Sequence, residues 1–210
     1  MPQPPLPFKD YERIYQTIYS VIKSAGLARH RACLTFATAG MLLLRNHYGL
    51  DATISAGSMA LMVDEESALV VVYGRQVNDQ WIYDTKGFHA WVEVDGWLVD
   101  FMAPILGQAL IEDGCNFNVP RRMLQKPLAD RKNYAEEVQH EGEFFCYHDK
   151  AVTESLIDRQ SHEFFNIIDV CQHWYRRPPA DMPPLARRLN GPSGSKSVVP
   201  LQAPSIDGVW

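Results

Sequence analysis

From Phe88 to Asp95, Phe88, Ala90, Val92 and Val94 alternate with His89, Trp91, Glu93 and Asp95. A period of two is the signature of a β-strand. Trp97 to Met102 is a second short β-rich run, and Asp95-Gly96 stands between the two. Both loop positions of a type I′ turn need φ > 0, which Asp-Gly tolerates, so the pair predicts a tight hairpin. That turn sets the register: Val94 opposite Trp97, Val92 opposite Val99, Trp91 opposite Asp100 and His89 opposite Met102. Alternate residues share a face, so His89, Trp91, Asp100 and Met102 fall on one side. His89 and Asp100 become diagonal neighbours, about 7–8 Å apart at the backbone. As a partly exposed cross-strand pair they would contribute about 0.2–1 kcal/mol.

The same pattern reading orders the rest of the chain. After a proline-rich arm over residues 1–8, Tyr11, Ile14, Tyr15, Ile18, Val21 and Ile22 form one helical stripe, with Asp10 as its expected cap and Gly26 as its stop. Residues 34–47 predict a helix that is apolar nearly all round, hence buried, with Gly49 as its end. Strand-like runs follow at 52–63, 69–73 and 80–83, and "MVDEESALV" suggests a second hairpin. The stretch 105–140 reads as short helical pieces and turns, "GEFFCYHD" as a late strand, and 151–159 and 163–176 as helices. In the last of these Phe164, Ile168, Cys171 and Tyr175 recur at helical spacing, which makes Cys171 a core residue. After Arg177 the composition changes: seven of the 14 prolines and "NGPSGSKS" fall in the final 33 residues. The expected organisation is one α+β domain over 1–177 and an extended or mobile tail over 178–210. Trp210 is the one residue of that tail expected to dock, onto the body or onto a neighbouring chain, so a homo-oligomer stays open.

Composition narrows the function classes. With 210 residues and a net charge of −5, the chain can bury a sizeable core and offers no basic surface for nucleic acid or acidic lipid. No apolar run approaches the ~18 residues of a membrane span, and the N-terminus lacks the pattern of a signal peptide. Four cysteines do not make a disulfide framework at this length, and reduced thiols fit a cytoplasmic protein. Cys146-x-His148 on a strand could chelate, whereas Cys171-x-His173 on a helix points about 200° apart. We therefore expect no metal and no cofactor, with His148, His162 and His173 as surface or satisfied histidines. Asp64-Glu65-Glu66 suits a turn, and no phosphate-cradling glycine loop is present.

The chemistry rests on three residues. A carboxylate beside an imidazole fixes its tautomer and stabilises the imidazolium, the role Asp100 would play for His89. A nucleophile is then needed, and Cys33 stands at the first turn of the buried helix. Helix N-termini present free N–H groups and partial positive charge, which favour a thiolate, and Arg29, His30 and Arg31 add charge nearby. Taken alone, Cys33 reads as a small buried hydrophobe. Together with the His-Asp hairpin it reads as a nucleophile.

Cysteine opening a buried helix, then histidine opening a strand in "HAWVEV", then "GW" and "D" on the next strand, resembles the papain-like superfamily, closest to its transglutaminase-like and arylamine N-acetyltransferase-like branches. The whole chain also looks like a bacterial family within that superfamily known only as a domain of unknown function. The resemblance implies a papain/transglutaminase-like α+β fold, with N-terminal helices and the nucleophile helix packed on an antiparallel sheet. It implies Cys33 as nucleophile, His89 as base and Asp100 as orienting carboxylate, acting on a peptide or a small amide or ester. Two features depart from the pattern. The hairpin is tighter than in many transglutaminase-like enzymes, and no glutamine lies shortly before Cys33. Gln16, the nearest upstream, has no reason to point at it, so an oxyanion hole would use backbone N–H groups at the helix start or a side chain that the sequence does not identify. The alternative from a different class is a non-catalytic binding module on the same fold with a residual triad.

Overall fold

A computed structural model describes residues 3–28, 32–78, 80–187 and 197–210. Five α-helices are seen among the described residues. Helix α1 (Phe8–Ser24) starts earlier than its sequence suggested. Pro7 occupies the cap position with φ −61°, and Asp10 sits inside the first turn, where its carboxylate accepts the Tyr48 hydroxyl at 2.6 Å. Helix α2 (Cys33–Leu43) continues through a π-helical turn (Leu44–Tyr48) and stops at Gly49, whose left-handed φ of 67° ends it. Helices α3 (Leu106–Glu112), α4 (Lys150–Asp158) and α5 (His162–Trp174) follow. The last two begin on side-chain caps, with Asp149 accepting from the Val152 N–H and Ser161 from the Phe164 N–H.

The main sheet is organised around β1 (Thr53–Asp64), a 12-residue strand. Its first half pairs with β5 (His89–Val94) and its second half with β2 (Leu69–Tyr73), both antiparallel. Strand β8 (Phe144–His148) pairs with Gly57 to Leu61. Gly57 has partners on both sides, His89 and His148, so β5 and β2 follow one another along one edge of β1 while β8 occupies the other. Gly57 permits the β8 approach: a Cβ there would stand 1.9 Å from the Tyr147 carbonyl oxygen. Beyond β5 come β6 (Trp97–Asp100), β7 (Arg122–Pro127) and β11 (Gly208–Val209). Between β2 and β5 a small hairpin, β3 (Arg75–Val77) with β4 (Gln80–Ile82), leaves the sheet. Neither β3 nor β7 was legible in the sequence, since each lacks a sustained alternation.

The two faces of the sheet are buried differently. Ala56, Ala90, Val92, Val94 and Val99 pack against α1, α2 and α5 through Tyr11, Ile18, Phe36, Ala37 and Cys171. On the opposite face Met59, Leu61, Trp91, Leu98, Leu124 and Phe144 close a second core with α3.

The expected tail is corrected by the structure. Strand β9 (Leu185–Arg187) pairs with β10 (Ser197–Val199), and β11 adds to β7 in parallel. The Ser20 hydroxyl donates to the Gln202 carbonyl at 3.1 Å and accepts the Gln202 N–H at 3.0 Å. Val199, Ile206 and Trp210 are buried. Composition averaged over 33 residues hid these three anchors, each of which packs in one of the two cores. Trp210 docks onto its own chain: its backbone N–H donates to Met123 O at 3.0 Å, and the Arg122 guanidinium lies 5.0 Å from the indole centroid. Residues 188–196 lie outside the described residues.

Candidate functional site

The Asp95-Gly96 turn forms with φ of 50° and 77°, and the observed register of the hairpin is Val92 with Val99, Glu93 with Leu98 and Val94 with Trp97. It matches the alternation read from the sequence. His89 and Asp100 consequently share a face. His89 Nε2 lies 2.9 Å from Asp100 Oδ2, closer than a diagonal pair needs to be, because both side chains turn toward each other. Met102 does not continue the strand opposite His89. The Asp100 Oδ1 accepts the Met102 N–H at 2.8 Å, so the chain turns there into a short 3-10 helix (Ala103–Ile105). One carboxylate thus both ends β6 and holds the imidazole.

The pair is buried, which corrects the expectation of a partly exposed one. His89 is 0% and Asp100 4% exposed. The His89 ring is stacked on Tyr73, with centroids 4.0 Å apart and planes 24° apart, and lies near-parallel to Trp91 at 6.5 Å. The Tyr11 hydroxyl donates to the Asp100 carbonyl, fixing that residue from below. Trp91 was placed on this face by the alternation. Tyr73 and Tyr11 were missed, because their proximity depends on how β2 and α1 meet the hairpin.

Cys33 comes to the same place from the N-terminus of α2. Ala32, its cap residue, makes no side-chain cap hydrogen bond, and the first N–H groups of a helix have no intrahelical acceptors. Nε2 of His89 is committed to Asp100. Nδ1 is buried and has no hydrogen-bond partner among the described residues, and the Cys33 thiol is close enough to the ring to raise its pKa. Burial opposes a charge on His89, but the Asp100 carboxylate and, after it, Cys33 outweigh this and carry its pKa up to about 10. The imidazolium is therefore the form favoured at neutral pH. The Tyr73 pKa is raised as well: burial, then the Asp100 and Cys33 charges, lift its phenol well above the ordinary value, so it remains a neutral ring against His89. The expected contribution of Arg29, His30 and Arg31 lies outside the described residues.

Gln125, the buried glutamine of β7, exchanges hydrogen bonds with the Leu6 backbone at 2.9 and 3.1 Å. The remaining buried cysteines are core residues. Cys146 is raised to about 11 by burial, partly opposed by Arg131, and burial raises Cys171 further still. His148, the other half of the candidate chelate, is exposed while Cys146 faces the second core. Among the described residues no cluster of three or more His, Cys, Asp or Glu side chains could hold a metal ion, and no helix is long and apolar enough to cross a membrane.

A solved chain described as "The crystal structure of genomics APC5867" is similar over the full length, covering 100% of this chain and 99% of its own, with a TM-score of 0.82 and 25% identity. No curated protein matches. Residues 7–210 match the family described as "Protein of unknown function (DUF2026)". That match takes in α1, the cysteine helix, the His-Asp hairpin and the docked C-terminal strands alike, and the chain belongs to the DUF2026 family.

Proposed function

We propose that the chain is a papain/transglutaminase-like thiol enzyme that transfers an acyl group from an amide or ester through a thioester on Cys33. The observation that carries this reading is the buried His89–Asp100 pair, with Nε2 on Asp100 and Nδ1 left without a partner among the described residues, beside the Cys33 thiol that opens α2 and helps raise the His89 pKa. An imidazolium held by a carboxylate is the counter-ion a thiolate nucleophile uses. Cys33 Sγ attacks the carbonyl carbon as a thiolate, with its proton on His89. The new S–C bond forms, the C–N or C–O bond breaks, and His89 gives its proton to the leaving amine or alcohol. His89 then takes a proton from water or an acceptor amine, which attacks the thioester and returns the thiol. Backbone N–H groups at the start of α2 are the donors available to the oxyanion, which supports an active site without the glutamine.

The test is labelling of Cys33 by p-nitrophenyl acetate in wild type, Cys33→Ala and His89→Ala, followed by peptide mass spectrometry. A thioester on Cys33 that forms about 100-fold more slowly in His89→Ala is expected. Labelling of Cys33 at the same rate without His89 would overturn the reading and leave a non-catalytic binding module.

A further inference from the structure

A cleft of about 450 Å³ lies on the sheet beyond the proposed nucleophile. Its floor is Ser58 and Ala60 of β1, Val70 and Val72 of β2, and Phe145 of β8; Ile82 and Tyr83 of the small hairpin form one wall and Val138 another. Small-molecule sites occupy about 300–1,000 Å³ and are mostly apolar, and this cleft meets both conditions. The sole charged residue among its described lining, Glu136, is exposed, so an anionic ligand has no partner there. Val72 is 36% exposed, an apolar floor left open to solvent.

Its position follows from the strand period. Even-numbered residues of β1 share a face. Ala56 lies under α2, in one core with Cys33 and with its own β5 partner Ala90. The next two on that face, Ser58 and Ala60, line the cleft. One step of two residues is about 7 Å, so the cleft opens about that far along β1 from the Ala56·Ala90 pair on which the nucleophile helix rests. On the neighbouring edge Tyr73 and Gly74 border the cleft, while the Tyr73 side chain points with His89 to the opposite face of the sheet. The hairpin that walls the cleft is held at its base by Arg75, which donates to Asp84 through Nε at 3.0 Å and Nη2 at 2.6 Å. Its Tyr83 packs on Tyr147 of β8 at 5.5 Å between centroids, so the wall reaches across the floor.

We infer that this cleft is an apolar-ligand site that takes the uncharged aliphatic acyl chain of the substrate, with the carbonyl end toward Cys33. The ligand site stands on the cleft itself; its use by Cys33 rests on the function proposed above, and two measurements separate them. The first is calorimetric binding of octanamide to full-length Cys33→Ala and to Cys33→Ala/Val72→Trp, each matched to its parent by thermal unfolding. Binding that weakens at least ten-fold when Trp fills the cleft is expected. Absence of binding, or equal binding by both proteins, overturns the cleft whatever Cys33 does. If Val72→Trp does not fold, Val72→Asp puts a charge on the same floor and carries the same expectation. The second is acylation of Cys33 by p-nitrophenyl octanoate and acetate, in which the S–C bond forms as p-nitrophenol leaves with the thiol proton. The octanoate-to-acetate rate ratio should exceed ten in the wild type and fall at least ten-fold in the Val72 variant. An unchanged ratio overturns the placement of the acyl chain. Octanamide binding without acylation by either ester keeps the cleft and overturns the thiol-enzyme reading.

Discussion

Cys33 and Cys171 belong to the same hydrophobic core, and both are buried. They differ in what else is there. Cys171 lies within α5 and is surrounded by apolar side chains, and burial drives its thiol far from ionisation. Cys33 opens α2 beside a histidine whose charge a buried carboxylate sustains. Burial by itself makes a cysteine inert. Burial beside a cation and a helix N-terminus makes the environment in which thiols react.

The largest expected effect is on alkylation. With iodoacetamide at pH 6, scored cysteine by cysteine by mass spectrometry, Cys33 should react at least about 100-fold faster than Cys146 or Cys171 in the folded protein. Cys115 is exposed and serves as the internal standard. His89→Ala should remove most of the difference, and equal rates at Cys33 and Cys171 in the wild type would end the comparison.

Next comes the ion pair. Asp100→Asn leaves a buried imidazole without its counter-charge, which costs about 3 kcal/mol, read by urea unfolding. The loss should depend on pH. The His89 pKa is raised from 6.5 to about 10 on folding, so its contribution is fully present below pH 6.5 and disappears as pH rises through about 10. The stability gap between wild type and Asp100→Asn should narrow over that window. A gap of constant size from pH 6 to 10 would show that His89 is neutral throughout.

The smallest effects sharpen the contrast at the sulfur itself. Cys171→Ser buries a hydroxyl in an apolar site and should cost about 1–3 kcal/mol. Cys33→Ser can accept from the protonated His89 ring and should cost less than about 1 kcal/mol. Equal losses in thermal unfolding would mean that the Cys33 position has no polar partner.

The hairpin shows how much of this the chain states openly. Asp95-Gly96 admits one tight turn, and alternation then assigns every side chain from His89 to Asp100 to a face. The apolar run after Cys33 announces a buried helix, and Gly49 marks its end. The docking of the tail is not legible in the chain, because its three anchors, Val199, Ile206 and Trp210, are diluted among prolines and small polar residues. Strand β7 was missed because Arg122, Gln125 and Lys126 break its alternation, although its middle is buried.

Turn chemistry and periodicity act over a few residues, and they were enough to place the His-Asp hairpin and the cysteine helix, though not β3, β7 or the C-terminal strands. By itself the sequence also named Cys33, His89 and Asp100, whose residue types and order suit one chemistry. Only the tertiary structure decided that the His-Asp pair is sealed from water, that Tyr73 covers the imidazole and that the helix start meets the ring. Each of these depends on which faces of separate elements come together: β2 and β5 sharing one edge of β1, and α2 lying across Ala56 and Ala90. Periodicity records that a face is apolar, but the packing of complementary shapes selects its partner.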